Sequence, residues 1–388
     1  MTNSHEPMKH DQHIFKQLSE IRGLKEIQLV VGGFGFIGQY LTWGLLQKGL
    51  NVVLIARNNA NNRAEKLKQK NSFANPRYKL SENNFDQLTI ISGDLNKPNL
   101  GLSSASYRQL CSLNIGSIWN SAADMHYSYS NLQQSINTNV IGVNRLIDIA
   151  VTAKCRLNQI STAFIAGKAH ANGIAINEVL YRPGNFFNAY DYTKNIAENL
   201  IAESKNLEYT IYRPTIVLGD SVSGYTNSES GYYEYVKLLN RLKKQHVEIP
   251  IHLKYTPGCF INVIPVDICC DAILKISEKH EATRNQYFNI ADSNPMTVDN
   301  FIKFNRNYFK LDLRQFIENH TSLSNLSERE KRLLKIINRM QNGPFLNSDF
   351  RFSSVNSQEV LGHPVQNQWC NSNSYLTKVV DYFLNQTS

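Results

Sequence analysis

The apolar run Ile27–Val31 ends directly on Gly32-Gly33-Phe34-Gly35-Phe36-Ile37-Gly38, and helical periodicity follows over Phe36–Lys48. A short apolar strand, a glycine turn and a helix form the mononucleotide-binding start of an open α/β sheet. Gly32 permits the tight turn, Gly35 lets the backbone approach a pyrophosphate, and Gly38 lets the helix pack against the strand. The phosphates would sit on the helix N-terminus, where unpaired N–H groups point outward. Gly32, Gly35, Phe36, Ile37 and Gly38 are therefore the first candidate cofactor-binding residues.

The pattern that follows keeps to the same plan. Asn51–Ala56, Leu88–Ser92, Ser117–Asn120, Leu157–Ser161, Tyr209–Arg213 and Tyr287–Ile290 read as strands. Between them Ser103–Leu113, Asn131–Ala153 and Tyr190–Ser204 read as helices, as does a polar stretch running to Lys70. Strands alternating with helices imply βαβ units and a parallel sheet covered on both faces. The fold class expected is α/β: a Rossmann-type doubly wound parallel sheet with a smaller, mainly helical C-terminal substrate-binding region. Residues 1–26 form an N-terminal extension whose short helix places Ile14, Phe15, Leu18 and Ile21 at helical spacing. Residues 27–220 form the nucleotide-binding domain, with 260–292 returning to it; 221–259 and 293–388 form the cap. Within the cap, Tyr232–Lys244, 298–341 (with Ser324–Ser327 as a helix start) and Ser374–Asn385 read as helical.

Composition narrows the setting. Among 388 residues no run of 18 apolar ones occurs, and the N-terminus lacks the apolar stretch of a secretory signal, so no integral membrane segment is expected. Cys111, Cys155, Cys259, Cys269, Cys270 and Cys370 show no metal or disulfide spacing, which points to a reducing, cytoplasmic setting and no metal site. His5, His10 and His13 sit in a segment poor in carboxylates and are read as incidental. The net charge of +9 suits a polyanionic ligand such as a nucleotide cofactor, coenzyme A or an acidic carrier protein. No nucleic-acid recognition motif accompanies it, and no nucleic-acid partner is expected. Oligomeric state is not legible in the sequence.

The end of the second strand selects the cofactor. An acid there bonds the ribose 2′-hydroxyl of NAD, whereas an arginine accommodates the 2′-phosphate of NADP. The chain reads Ile55-Ala56-Arg57-Asn58, with Arg63 a second candidate, so NADPH is expected. Chemistry is carried by Tyr190-x-x-x-Lys194 with Thr162 upstream. Residues i and i+4 share a helix face, so both side chains can reach one nicotinamide. Lys194 would bond the nicotinamide ribose and lower the phenol pKa of Tyr190, and Thr162 would bond the substrate oxygen. A second match, Tyr233 with Lys237, lies after the sheet pattern has broken and is read as structural. His126, Tyr127 and Tyr129 are candidates for the substrate entrance, and Phe186, Phe187 and Asn188 for the pocket. Glu198 is read as an ion-pair partner, and Asn139 as bonded to neighbouring backbone.

Taken together these residues resemble the extended short-chain dehydrogenases/reductases. The likeness is strongest to the branch holding fatty acyl-CoA reductases and the terminal thioester reductase domains of nonribosomal peptide synthetases. The matching pieces are Gly32–Gly38, Gly93-Asp94-Leu95 with Lys97–Ser103, Ser121-Ala122-Ala123, Asn139–Gly142 and Ser161-Thr162. They continue with Tyr190…Lys194…Glu198, Arg213-Pro214, Gly219-Asp220 and Asn262–Asp267, and more faintly with Phe345…Phe352 and Asn356. The resemblance implies that Asp94 and Leu95 hold the adenine, that Ala122 and Ala123 line the ribose and pyrophosphate path, and that Pro214 and Ile216 border the nicotinamide. Val31 and Asn120-Ser121 depart from the threonine and histidine usual in this branch. The implied activity is NADPH-dependent reduction of an acyl thioester by the Thr162–Tyr190–Lys194 set, either to an aldehyde or, through a second round, to an alcohol, and the sequence does not choose between the two products. No adenylation or carrier domain is visible in the sequence, so acyl-CoA or an acyl carrier protein is expected to bring the substrate in trans. The alternatives are a ketone reductase, a sugar-nucleotide epimerase or dehydratase, and a non-catalytic NADPH sensor.

Overall fold

The computed structural model describes residues 5–57, 61–315, 326–333, 344–365 and 372–386; Cys370 and Ser324 lie outside these, as do the side chains of His5 and His10. Seven strands build the central sheet: β1 (Ile27–Val31), β2 (Val52–Ala56), β3 (Leu88–Ser92), β4 (Ile115–Asn120), β5 (Arg156–Ile160), β6 (Glu208–Pro214) and β7 (Gln286–Ile290). Their order is β3-β2-β1-β4-β5-β6-β7, and every neighbouring pair is parallel. The order reverses direction between β1 and β4, which opens the crevice where ligands bind in such sheets.

Strand side chains alternate between two cores. Leu29, Val31, Ile55 and Leu157 join one face with Leu146, Ile147 and Ile201 from helices Gly142–Ala153 and Ala189–Glu203. Val30, Leu54, Trp119 and Tyr212 join the other with Leu41, Trp43 and Ile273 from Phe36–Gln47 and Val266–Ser277. The first helix spans His5–Glu20 and docks on the first face through Ile14, Leu18 and Ile21. Phe15, expected on that face, is instead exposed, one position round the helix from Ile14.

The expected helix over Asn131–Ala153 is interrupted: a π turn, Asn137–Ile141, separates Leu132–Ile136 from Gly142–Ala153. The turn carries Asn139 inward, where it is buried and bonded to two other segments described below. After β6 the chain forms a cap with its own apolar core, including Val236 and Leu239 of helix Tyr232–Lys244, Phe301 of Val298–Phe309 and Phe383 of Asn373–Gln386. Short two-stranded pairs tie this helical region together and to the rest of the chain, among them Ile216–Leu218 with Val263–Pro265 and Asn172–Ile176 with Asp349–Phe352. In the 298–341 span, helix starts at Val298 and again after Ser327, whose Oγ accepts from the Glu330 N–H while its own N–H donates to the Glu330 carboxylate.

Buried Glu178 stitches the later chain to the sheet. Its carboxylate accepts from the N–H of Asn289 in β7 (2.8 Å), the N–H of Asn356 (2.6 Å) and Oγ of Ser357 (2.7 Å). Two further buried carboxylates, Asp220 and Asp267, brace the loops behind the glycine turn. Asp220 accepts from Tyr40 Oη at 2.7 Å and Asn75 N–H at 2.8 Å, and Asp267 accepts from Asn75 Nδ2 at 2.8 Å.

The glycine turn itself is tightly packed. A Cβ on Gly38 would lie 2.1 Å from the Gly32 carbonyl oxygen and 2.4 Å from Ser121 Oγ. Gly38→Ala must push backbone apart, and overpacking of this kind destabilises by about 1–3 kcal/mol. The expected outcome is a lower urea midpoint with an unchanged slope.

Candidate active site

Thr162 follows β5 in extended conformation (φ −143°, ψ 147°) and caps a short turn, its Oγ1 accepting from the Phe164 N–H at 3.3 Å. Tyr190 and Lys194 lie near the start of Ala189–Glu203, which Asn188 caps by accepting the Asp191 N–H at 2.8 Å. Lys194 is buried; its Nζ donates to the Ile160 carbonyl at 2.6 Å and sits 6.0 Å from the centre of the Tyr190 ring. Burial pulls the Lys194 pKa down to about 8, opposed in part by Glu198. Glu198 in turn holds Arg213 of β6 through bonds of 3.0 and 2.5 Å, both side chains being buried. This ion pair pins the Tyr–Lys helix to the sheet, as expected for Glu198.

Burial, reinforced by Tyr127 and Asp191, pushes the Tyr190 phenol well above the ordinary tyrosine value. Desolvation is the largest of these effects. The same burial raises the Asp191 carboxyl to about 7, against the bond from Asn188.

Asn139 ties the two walls of the site together. Its Oδ1 accepts from the Asp124 N–H (2.8 Å), and its Nδ2 donates to the Asp124 carbonyl (2.9 Å) and to Thr193 Oγ1 (2.9 Å) on the Tyr190 helix. The Ala189 N–H donates to the Tyr127 carbonyl at 3.0 Å, so the loop after β4 is fixed to that helix at a second point.

One cavity of about 820 Å³ runs along the carboxyl ends of the strands. Gly32, Gly35, Phe36 and Ile37 line it, with Arg57 at the end of β2, Arg63 in the helix Asn61–Asn71 and Asp94 and Leu95 after β3. Ala122, Ala123, Thr162, Tyr190, Lys194, Pro214 and Ile216 line it further along. Gly38 does not: it lies behind the turn, packed on Gly32 and Ser121, so its contribution to a cofactor site is through packing. Phe186, Phe187 and Asn188 are also outside the cavity; Asn188 is occupied by capping, and Phe187 stacks with Lys168 and Phe350. Tyr233 reaches the wall of the cavity, but Lys237 is bonded to Glu229 at 2.7 Å, so that pair forms no second Tyr–Lys site.

Asp124, Asp191, Tyr232, Tyr235 and Phe301 also line the cavity without being site candidates in the sequence, as does Phe345, which the sequence marks only as a faint family match. Asp191 sat inside the Tyr-x-x-x-Lys motif, a visible signal; Phe345 arrives from far along the chain and stacks edge-on with Phe164 and Tyr127. The two departures around β1 and β4 are accommodated: Asn120 accepts from the Ala122 N–H and donates to Gln159, and Ser121 Oγ donates to the Val31 carbonyl.

These residues suit a dinucleotide. Gly32 has φ +85°, and a Cβ there would lie 2.4 Å from Ala122 N, so backbone alone lines the crevice at that point. Gly35 begins Phe36–Gln47 with no side-chain cap, leaving N–H groups for a phosphate. The Arg63 guanidinium lies 5.2 Å over the Phe34 ring, Arg57 lines the same cavity, and the buried Ser161 Oγ in the cavity wall has no partner among the described residues.

A family model described as male sterility protein matches residues 30–273. The chain belongs to that family. It is a thioester reductase-like member of the extended short-chain dehydrogenases/reductases, an oxidoreductase family with an NAD(P)-binding domain. Fatty acyl-CoA reductase wat of Drosophila melanogaster is 28% identical over 301 residues, 66% of this chain and 54% of that protein. The chain thus spans about half the length of that relative. The terminal R domain of the myxalamid PKS-NRPS pathway superposes with a TM-score of 0.75 at 19% identity, covering 97% of this chain and 98% of that one. A UDP-glucose 4-epimerase gives 0.64 at 19% identity, covering 94% and 99%. Both share the fold. No helix among the described residues is long and apolar enough to cross a membrane.

The depressed Lys194 pKa has a measurable consequence for this family member. Between pH 8 and 10.5 the unfolded chain keeps a proton that the folded Lys194 has released, so folded stability gains as pH rises through that window. Relative to Lys194→Met, the wild type is expected to become steadily more stable from pH 8 to 10 in urea unfolding.

Proposed function

We propose that this chain is an NADPH-dependent reductase of an acyl thioester, acting on a substrate carried by coenzyme A or an acyl carrier protein. The observation that carries the reading is the convergence of Thr162, Tyr190 and Lys194 on the cavity that the glycine turn opens. Gly32, Gly35, Phe36, Ile37, Ala122 and Ala123 would hold the pyrophosphate and ribose, Asp94 and Leu95 the adenine, and Pro214 and Ile216 the nicotinamide. Arg57 and Arg63 favour a 2′-phosphate, because a guanidinium bonds a phosphate in a charge-assisted fork. NADPH, when bound, supplies the hydride.

The chain's own groups handle charge and protons. Thr162 Oγ1 and Tyr190 Oη donate to the oxygen as it becomes an oxyanion, preorganised donors of the kind worth a few kcal/mol each. Tyr190, kept protonated by burial, passes its proton to that oxygen, and Lys194 stabilises the phenolate left behind. Residues of the cap, among them Tyr232, Phe301 and Phe345, would face the acyl group. An epimerase reading is disfavoured by the arginine where an NAD enzyme carries an acid.

The test is NADPH oxidation followed together with free-thiol release, over acyl-CoA and acyl-carrier substrates from short to long chain. Thiol release matching NADPH oxidation one to one indicates an aldehyde product, and at half that rate an alcohol. Tyr190→Phe is expected to lower kcat by at least about 100-fold. Activity on free ketones or aldehydes alone would overturn the reading. Arg57→Ala is expected to raise the KM for NADPH by about 10–100-fold, the worth of one charged hydrogen bond, with little change for NADH.

A further inference from the structure

The loop after β4 holds a second proton-handling pair that the Thr162–Tyr190–Lys194 set does not use. His126 Nδ1 is hydrogen-bonded to Asp124 Oδ1, and Asp124 Oδ2 accepts from Ser135 Oγ at 3.0 Å. The Asp124 side chain is 7% exposed and that of His126 is 52% exposed. The arrangement is a buried carboxylate orienting an imidazole that keeps access to solvent. Both residues line the same cavity as Tyr190. The pair is not free to drift, because Asn139 bonds the Asp124 backbone on both its N–H and its carbonyl and reaches Thr193 on the Tyr190 helix. On the other side, the Tyr127 carbonyl accepts from Ala189, the residue before Tyr190. With Nδ1–H directed at a carboxylate, Nε2 is the nitrogen left to exchange a proton with a ligand.

The reaction proposed above needs such a group. Reduction of a thioester to an aldehyde and a thiol consumes one proton in addition to the hydride. Tyr190 lends its proton to the oxygen and must take it back when the carbonyl re-forms, so it supplies none to the sulfur. We propose that His126, oriented by Asp124, is the acid that protonates the departing thiol. In this step the tetrahedral carbon–sulfur bond breaks and its electron pair goes to sulfur. The carbon–oxygen double bond re-forms as the hydroxyl proton returns to the Tyr190 phenolate, and the sulfur takes the proton from His126 Nε2. The half-exposed imidazole is then reprotonated from water. His126 would be a catalytic residue; Asp124, Ser135 and Asn139 would be positioning residues. The inference rests on the thioester reading.

Leaving-group acidity tests it. Two thioesters of one acyl group are compared, one with N-acetylcysteamine and one with a thiophenol, whose thiolate leaves without acid assistance. His126→Ala is expected to lower kcat on the alkyl thioester by about 100-fold, and by no more than about threefold on the aryl thioester. Asp124→Asn is expected to follow the same pattern at about 10-fold. Kd values for NADPH and for the alkyl thioester, measured by fluorescence titration, should stay within twofold of wild type, which also shows that the variants fold. Equal losses on both thioesters, no loss on either, or an equal loss on the free aldehyde would overturn the assignment. Wild-type protein that binds NADPH but reduces neither thioester would overturn the underlying reading and the assignment with it.

Discussion

The site exists because two pieces of backbone approach each other more closely than any side chain allows. Gly32 stands where a Cβ would strike the peptide of Ser121 and Ala122, and Gly38 where one would strike Gly32 itself. Those contacts bring the loop after β1, the loop after β4 and the start of Phe36–Gln47 into one compact unit at the point where the strand order turns round. The crevice between β1 and β4 is thereby walled with main chain, which offers N–H groups to a phosphate and presents little bulk. The arginines, the Thr162 turn and the Tyr–Lys helix are arranged around that crevice.

A second layer of order fixes the reactive side chains to one another. Asn139 lies in a π turn of its helix, a distortion frequent at functional sites. There, one buried amide couples the loop bearing Asp124 and His126 to the helix bearing Tyr190 and Lys194. The Glu198–Arg213 pair anchors that helix from its far side to β6. Buried ion pairs are poor sources of net stability but strong determinants of geometry, since breaking one leaves an unpaired charge in the core. The Tyr–Lys helix is thus held from opposite sides by directional bonds and not by apolar contact alone.

The start of the sheet was legible because β1 and β2 are almost wholly apolar, buried along their length and followed by glycine or polar residues. The glycine turn, Arg57, Thr162 and the Tyr190/Lys194 pair, which line one cavity, stand out in the sequence through local spacing. What stayed hidden depends on distant partners. The π turn has no composition signal, since Asn139 is drawn in by groups at positions 124 and 193. Phe345 joins the cavity across a fold that periodicity cannot show, and strands of two to four residues in the cap are too short to display alternation. Phe186 and Phe187 lie outside the cavity although they are close to Tyr190 along the chain, because nearness in sequence does not fix which way a loop faces.

The Glu178 carboxylate gathers donors from β7 and from residues 356 and 357, points widely separated along the chain. The region over the cavity is therefore no cassette that can be cut out at two neighbouring positions and replaced. Its pieces return to the sheet domain at several places, and the return at residues 356 and 357 is sealed by bonds to the buried Glu178. Recombination between relatives would have to carry residue 178 together with the 355–357 segment, or leave a buried carboxylate without its donors. Diversity in this cap would accordingly arise by substitution along the cavity wall more readily than by exchange of whole segments.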